Sequence, residues 1–78
     1  MRVKLTQSAR RRRIGVARVI EAMNDAGEPT LIQATDEYDE RLLFVGHDHT
    51  GLELEILAIE QPDRLLVIHV MPTEWRNR

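Results

Sequence analysis

From Arg41 to Met71, apolar and polar residues alternate through three runs: RLLFVG, LELEILAIE and RLLVIHVM. The turn-rich segments HDHTG and QPD separate them. Alternation with a period of two, broken by turn residues, predicts three antiparallel strands in a meander. Upstream the period changes. Val16, Val19, Ile20 and Met23 recur at i, i+3, i+4 and i+7, with Ala17 and Ala26 as small fillers. That is the apolar stripe of a helix laid on a core. Asn24-Asp25-Ala26-Gly27 ends it, with Gly27 as the left-handed cap, and Pro29 prevents resumption.

The flanks are shorter. Arg2–Leu5 alternates, with Val3 and Leu5 on one side, and reads as a short edge strand or an extended arm. Thr6 or Ser8 can cap a helix running to about Arg13. Thr30–Thr35 is a short candidate strand, and the acidic run 36–40 is a loop into Arg41. A polar tail, Thr73–Arg78, carries the only Trp, Trp75. The expected architecture is α+β, with two N-terminal helices on one face of a three- to four-stranded antiparallel meander.

A core face tolerates no charge. That assigns Leu42, Phe44, Leu52, Leu54, Ile56, Ala58, Leu66, Ile68 and Val70 to the helix side. Arg41, Glu53, Glu55 and His69 fall on the open side, among Leu43, Val45, Leu57, Ile59, Leu65 and Val67. A three-residue loop Gln61-Pro62-Asp63 pairs Glu60 with Arg64 and sets Glu55 directly opposite His69. A two-residue turn Pro62-Asp63 sends His69 to the helix side instead. A five-residue loop at His47–Gly51 sets Leu43 opposite Glu55. Arg41 is then a diagonal neighbour of Glu55, about 7–8 Å away at the backbone. In this register Arg41, Glu55 and His69 form a polar cluster, with Glu53 beside them. A carboxylate orients the imidazole, the imidazole moves a proton, and the arginine stabilises developing phosphorane charge. The same geometry also serves as a cross-strand pair that makes a half-buried sheet tolerable. The apolar remainder of the open face calls for a partner segment.

The 78 residues make one domain, spanning 1–78. A chain this short buries a limited fraction of its surface, so a partner or a second copy would help. No cysteine is present, which fits a reducing compartment. No apolar run approaches the roughly 18 residues that span a bilayer, and no signal peptide opens the chain, so a cytoplasmic protein without a membrane role is expected. The net charge of −2 hides an asymmetry: residues 1–20 carry +7, and residues 21–78 carry −9. A basic arm on an acidic body meets nucleic acid locally or pairs with its own acidic surface. His47-Asp48-His49 offers three potential metal ligands in one tight turn, but their side chains diverge and no distal fourth ligand is evident. The acidic loop lacks calcium-loop spacing. No metal or cofactor is expected.

The junction RRIGVARVIEAM, the strand pair RLLFVGHDHTGLELEILAIE and the run LLVIHVMP together resemble the RelE/ParE-like toxins of bacterial toxin–antitoxin systems, most closely the BrnT-type small toxins. The similarity covers about residues 8–72 and rests on an arginine opening a strand, glycines near a hairpin and an acidic end to the middle strand. The resemblance implies an endoribonuclease held inactive by a cognate antitoxin on the open sheet face. It implies Arg41 as the strand arginine, and Arg10, Arg12 and Arg13 as RNA contacts; Lys4, in the same basic arm, is a further expected nucleic-acid contact. The roles of Glu55 and His69 come from strand alternation alone. The alternative is a non-catalytic module that binds protein or nucleic acid through the open face.

Overall fold

The computed structural model describes residues 2–75. The positions of the tail at 76–78 lie outside the described residues. The fold is α+β, with one α-helix and a five-stranded mixed sheet. Strand β1 (Val3–Leu5) leads through a 3-10 turn (Ala9–Arg12) to helix α1 (Val16–Ala26). Strands β2 (Thr30–Ile32), β3 (Arg41–His47), β4 (Glu53–Gln61) and β5 (Arg64–Pro72) follow, and a 3-10 turn at Thr73–Trp75 closes the described chain. The sheet order is β1-β5-β4-β3-β2. The meander β2 to β5 is antiparallel, and β1 joins its far edge parallel to β5. Among the described residues no helix is long and apolar enough to cross a membrane.

Two expectations about the elements themselves change. The first predicted helix is only a single 3-10 turn. It ends at Arg13, which takes a left-handed conformation (φ 58°) and donates its backbone N–H to the carbonyl of Arg10 at 2.9 Å. The sheet is also mixed rather than a pure meander, because the parallel pairing of β1 with β5 has no local sequence signal.

Helix α1 ends at Gly27, whose φ of 71° suits a residue without a side chain. Its buried face is Val19, Ala22 and Met23, while Val16 and Ile20 are exposed. The face is rotated because α1 rests on Gly46 of β3. A Cβ there would press into the carbonyl oxygen of Ala22 and lie 2.6 Å from the nitrogen of Ala26. Only small residues permit this approach, so the alanines mark the contact. Beneath the helix, Leu5, Ala9, Ile14, Phe44, Leu54, Ile56, Ala58, Leu65, Val67 and Val70 complete one core cluster.

Leu65 and Val67, expected on the open face, are buried, while Leu66 and Ile68, expected in the core, are half-buried. The β4–β5 turn is the shorter one. Gln61 pairs with Arg64 across Pro62-Asp63, so Ala58 meets Val67. Leu57 then meets His69, which leaves Ile68 as a bulged extra residue. The turn inverts the faces of the first half of β5, and the bulge restores the expected faces from His69 onward.

Candidate functional site

The bulge decides where His69 lies. With the two-residue turn alone, His69 would point under α1. One surplus residue returns it to the open face, together with Met71. Glu55 pairs across β4–β5 with Met71, so it is a diagonal neighbour of His69 and not its direct partner. The side chains still meet, with His69 Nε2 3.2 Å from Glu55 Oε2. The imidazole is one-third exposed, and the carboxylate is more deeply set, at 18%. With a carboxylate on Nε2, the neutral ring carries its proton there and leaves Nδ1 as the free base.

Arg41 does not join them. The β3–β4 register is two residues away from expectation, with Leu43 opposite Leu57 and Val45 opposite Glu55. Arg41 therefore stands four residues along β3 from the partner of Glu55, about 13 Å. Its guanidinium lies over the Tyr38 ring, 5.1 Å from the centroid. Its Nε is buried and makes no hydrogen bond among the described residues. Glu53 is also engaged elsewhere. It accepts a 2.6 Å hydrogen bond from the Thr73 hydroxyl and stands 3.7 Å from His47 Nε2.

The four basic residues expected to meet RNA divide. Lys4, Arg10 and Arg13 line a groove of about 820 Å³ beside β1, together with Arg2 and Arg64. Arg12 turns away and stacks over Trp75, 4.9 Å from the ring centroid. Nothing local in the sequence links Arg2 to Arg64, because only the parallel pairing of β1 with β5 brings them together.

The His47-Asp48-His49 turn forms a clasp on α1. Arg18, Glu21 and Asp25 lie along one flank of the helix, and each takes one residue of the turn. The buried Asp48 accepts from Arg18 Nε and Nη2 at 2.7 Å. It also accepts from the Thr50 hydroxyl at 2.6 Å and from the backbone N–H groups of Thr50 and Leu52. These bonds, the Thr50 hydroxyl foremost and the guanidinium next, hold its carboxyl far below the usual carboxylate range against the opposing pull of burial. Glu21 accepts from the ring and the backbone N–H of His49, at 2.7 and 3.0 Å, and these bonds lower its pKa. Asp25 does the same with His47, with the backbone N–H contributing most. Both histidines are thus held by carboxylates of the helix. Among the described residues no group of three histidine or acidic side chains is placed to hold a metal ion.

No protein-family model matches this chain, and neither a curated protein nor a solved structure matches it.

Proposed function

We propose that this chain is a metal-independent endoribonuclease of the toxin type, with His69 and Glu55 at its reacting centre and a cognate antitoxin as the partner that covers the open face. The observation that supports this reading is the His69–Glu55 contact on the uncovered side of the sheet. Glu55 orients the ring through its contact with Nε2. His69 Nδ1 takes the proton of a ribose 2′-hydroxyl. The 2′-oxygen attacks the adjacent phosphorus, the bond to the 5′-oxygen breaks, and water supplies the proton to that leaving oxygen. A cyclic phosphate and a free 5′-hydroxyl result. The basic N-terminal segment draws RNA in over long range. Arg41, expected from strand register to stabilise phosphorane charge, stands apart from the pair.

The test is cleavage of RNA by wild type, His69→Ala and Glu55→Gln, each with and without a chelator. The expected result is chelator-independent cleavage that falls at least about 100-fold in His69→Ala. Its folded stability should change by less than about 1 kcal/mol, because the ring is partly exposed. Equal cleavage by wild type and His69→Ala would refute the assignment.

A second reading, a non-catalytic interaction module, is favoured by the separation of Arg41 from the pair. Growth arrest on expression, relieved by the product of a neighbouring gene, distinguishes the toxin from the module.

A further inference from the structure

The groove beside β1 combines three features that belong together. The first is an unused strand edge. β1 is a terminal strand, and only β5 pairs with it among the described residues. Arg2 accepts a hydrogen bond from the Leu65 N–H at 2.8 Å, and the Thr6 N–H donates to Val67 at 2.9 Å. In a parallel ladder, residues 2, 4 and 6 therefore turn their backbone groups toward β5. Val3 and Leu5 turn theirs outward, along the wall of the groove.

The second feature is charge. Arg2, Lys4, Arg10, Arg13 and Arg64 surround the groove, and Asp63 is the one acidic residue lining it. Among the described residues none of the five cations is in an ion pair. Lys4 lies on the open side of the sheet by strand alternation, opposite Val3 and Leu5. Arg10 and Arg13 come from the turn whose Ala9 enters the core on the helix side. Cations thus flank the free edge from both faces.

The third feature is the floor. Val3, Leu5, Ile14 and Val16 are apolar, and no aromatic ring lines the groove. A single-stranded nucleic acid binds through bases stacked on aromatic rings as well as through phosphates, and this groove offers no aromatic ring. It offers outward N–H and C=O groups, apolar contacts at alternate positions and positive charge on both sides.

We infer that this groove is a docking site for an extended acidic peptide, which adds to β1 as a sixth strand and places its carboxylates among Arg2, Lys4, Arg10, Arg13 and Arg64. Main-chain hydrogen bonds to Val3 and Leu5 supply the register, and the cations select the sequence. Neither His69 nor Glu55 lines the groove, and the proposal stands or falls without any RNA chemistry.

The test is titration of the full chain with a short peptide alternating glutamate and valine. Calorimetry reads affinity, and amide hydrogen exchange reads Val3 and Leu5. The expected result is one-to-one binding that protects both amides. N-methylation of alternate peptide bonds in the probe should weaken binding at least about tenfold, and so should Lys4→Glu combined with Arg10→Glu. Both side chains are exposed, and Lys4→Gln with Arg10→Gln gives a smaller loss should charge reversal disturb the fold. No binding overturns the proposal. So does binding indifferent to N-methylation, which reduces it to charge alone. Protection of the same two amides by oligouridylate but not by the peptide assigns the groove to nucleic acid and overturns it as well. Self-association abolished by Lys4→Glu, without peptide binding, assigns it to a second copy and also overturns it.

Discussion

Two charged regions border α1, and they are built on opposite rules. On one flank, Arg18, Glu21 and Asp25 are each matched to a residue of the His47-Asp48-His49 turn, and Asp48 is buried with its oxygens satisfied. Near the helix start, five cations gather around a groove with one carboxylate and no ion pair among the described residues. Matched charge holds a helix against a strand and has little left to offer a ligand. Unmatched charge adds nothing to folding and leaves a binding potential in place. The contrast separates the part of the molecule that keeps its shape from the part that meets something else.

The largest expected effect falls on the clasped side. Gly46→Ala drives a methyl group into the backbone of α1, which cannot move aside as a side chain could. A loss of roughly 3 kcal/mol is expected in denaturant unfolding, a large share of the total for so small a domain. A native-like midpoint would show that α1 does not need its close seat on β3. Next is Asp48→Ala, which leaves Arg18 and two backbone N–H groups without their acceptor. A fall of several degrees in melting temperature is expected, while Arg10→Ala in the groove leaves the melting temperature unchanged. Equal effects at the two positions would erase the distinction between matched and unmatched charge.

Acid sharpens the same comparison. Glu21, Asp25 and Asp48 all have folded pKa values below their ordinary range. Their contribution to stability is therefore complete above the unfolded carboxylate range, about pH 4, and is lost as the pH falls through the lower folded values. Melting temperature should decline with acidification below about pH 4, and more gently in Asp48→Asn than in wild type. The smallest effect is at Arg13, the one non-glycine residue with positive φ among those described. Arg13→Gly should stabilise by up to about 1 kcal/mol through relief of the left-handed backbone. It should also remove one of the five cations that await the acidic peptide.

Much of this architecture was legible in the chain. Period-two alternation located β3, β4 and β5 within a residue or two, and the i, i+3, i+4 pattern with Gly27 located α1. Three things were not legible, each for a physical reason. Ala22 and Ala26 carry little weight in an apolar pattern, so the rotation of α1 onto Gly46 was hidden. A bulge at Ile68 leaves no mark in a run of apolar residues, and the strand reads equally well with or without it. The clustering of Arg2 with Arg64 depends on a long-range parallel pairing that no local signal encodes. The candidate site shared these limits. Two displacements, a shorter turn and a bulge, offset one another and kept His69 near Glu55. The two-residue shift between β3 and β4 had no such compensation, and it removed Arg41 from the group.

Ile68 also makes the length of β5 adjustable at the level of the gene. Loss of its single codon would join Val67 directly to His69, which already face Ala58 and Leu57 across β4, so the ladder would become regular with the imidazole still on the open side. A lineage carrying this strand can therefore gain or lose this one residue without moving the histidine off the open face.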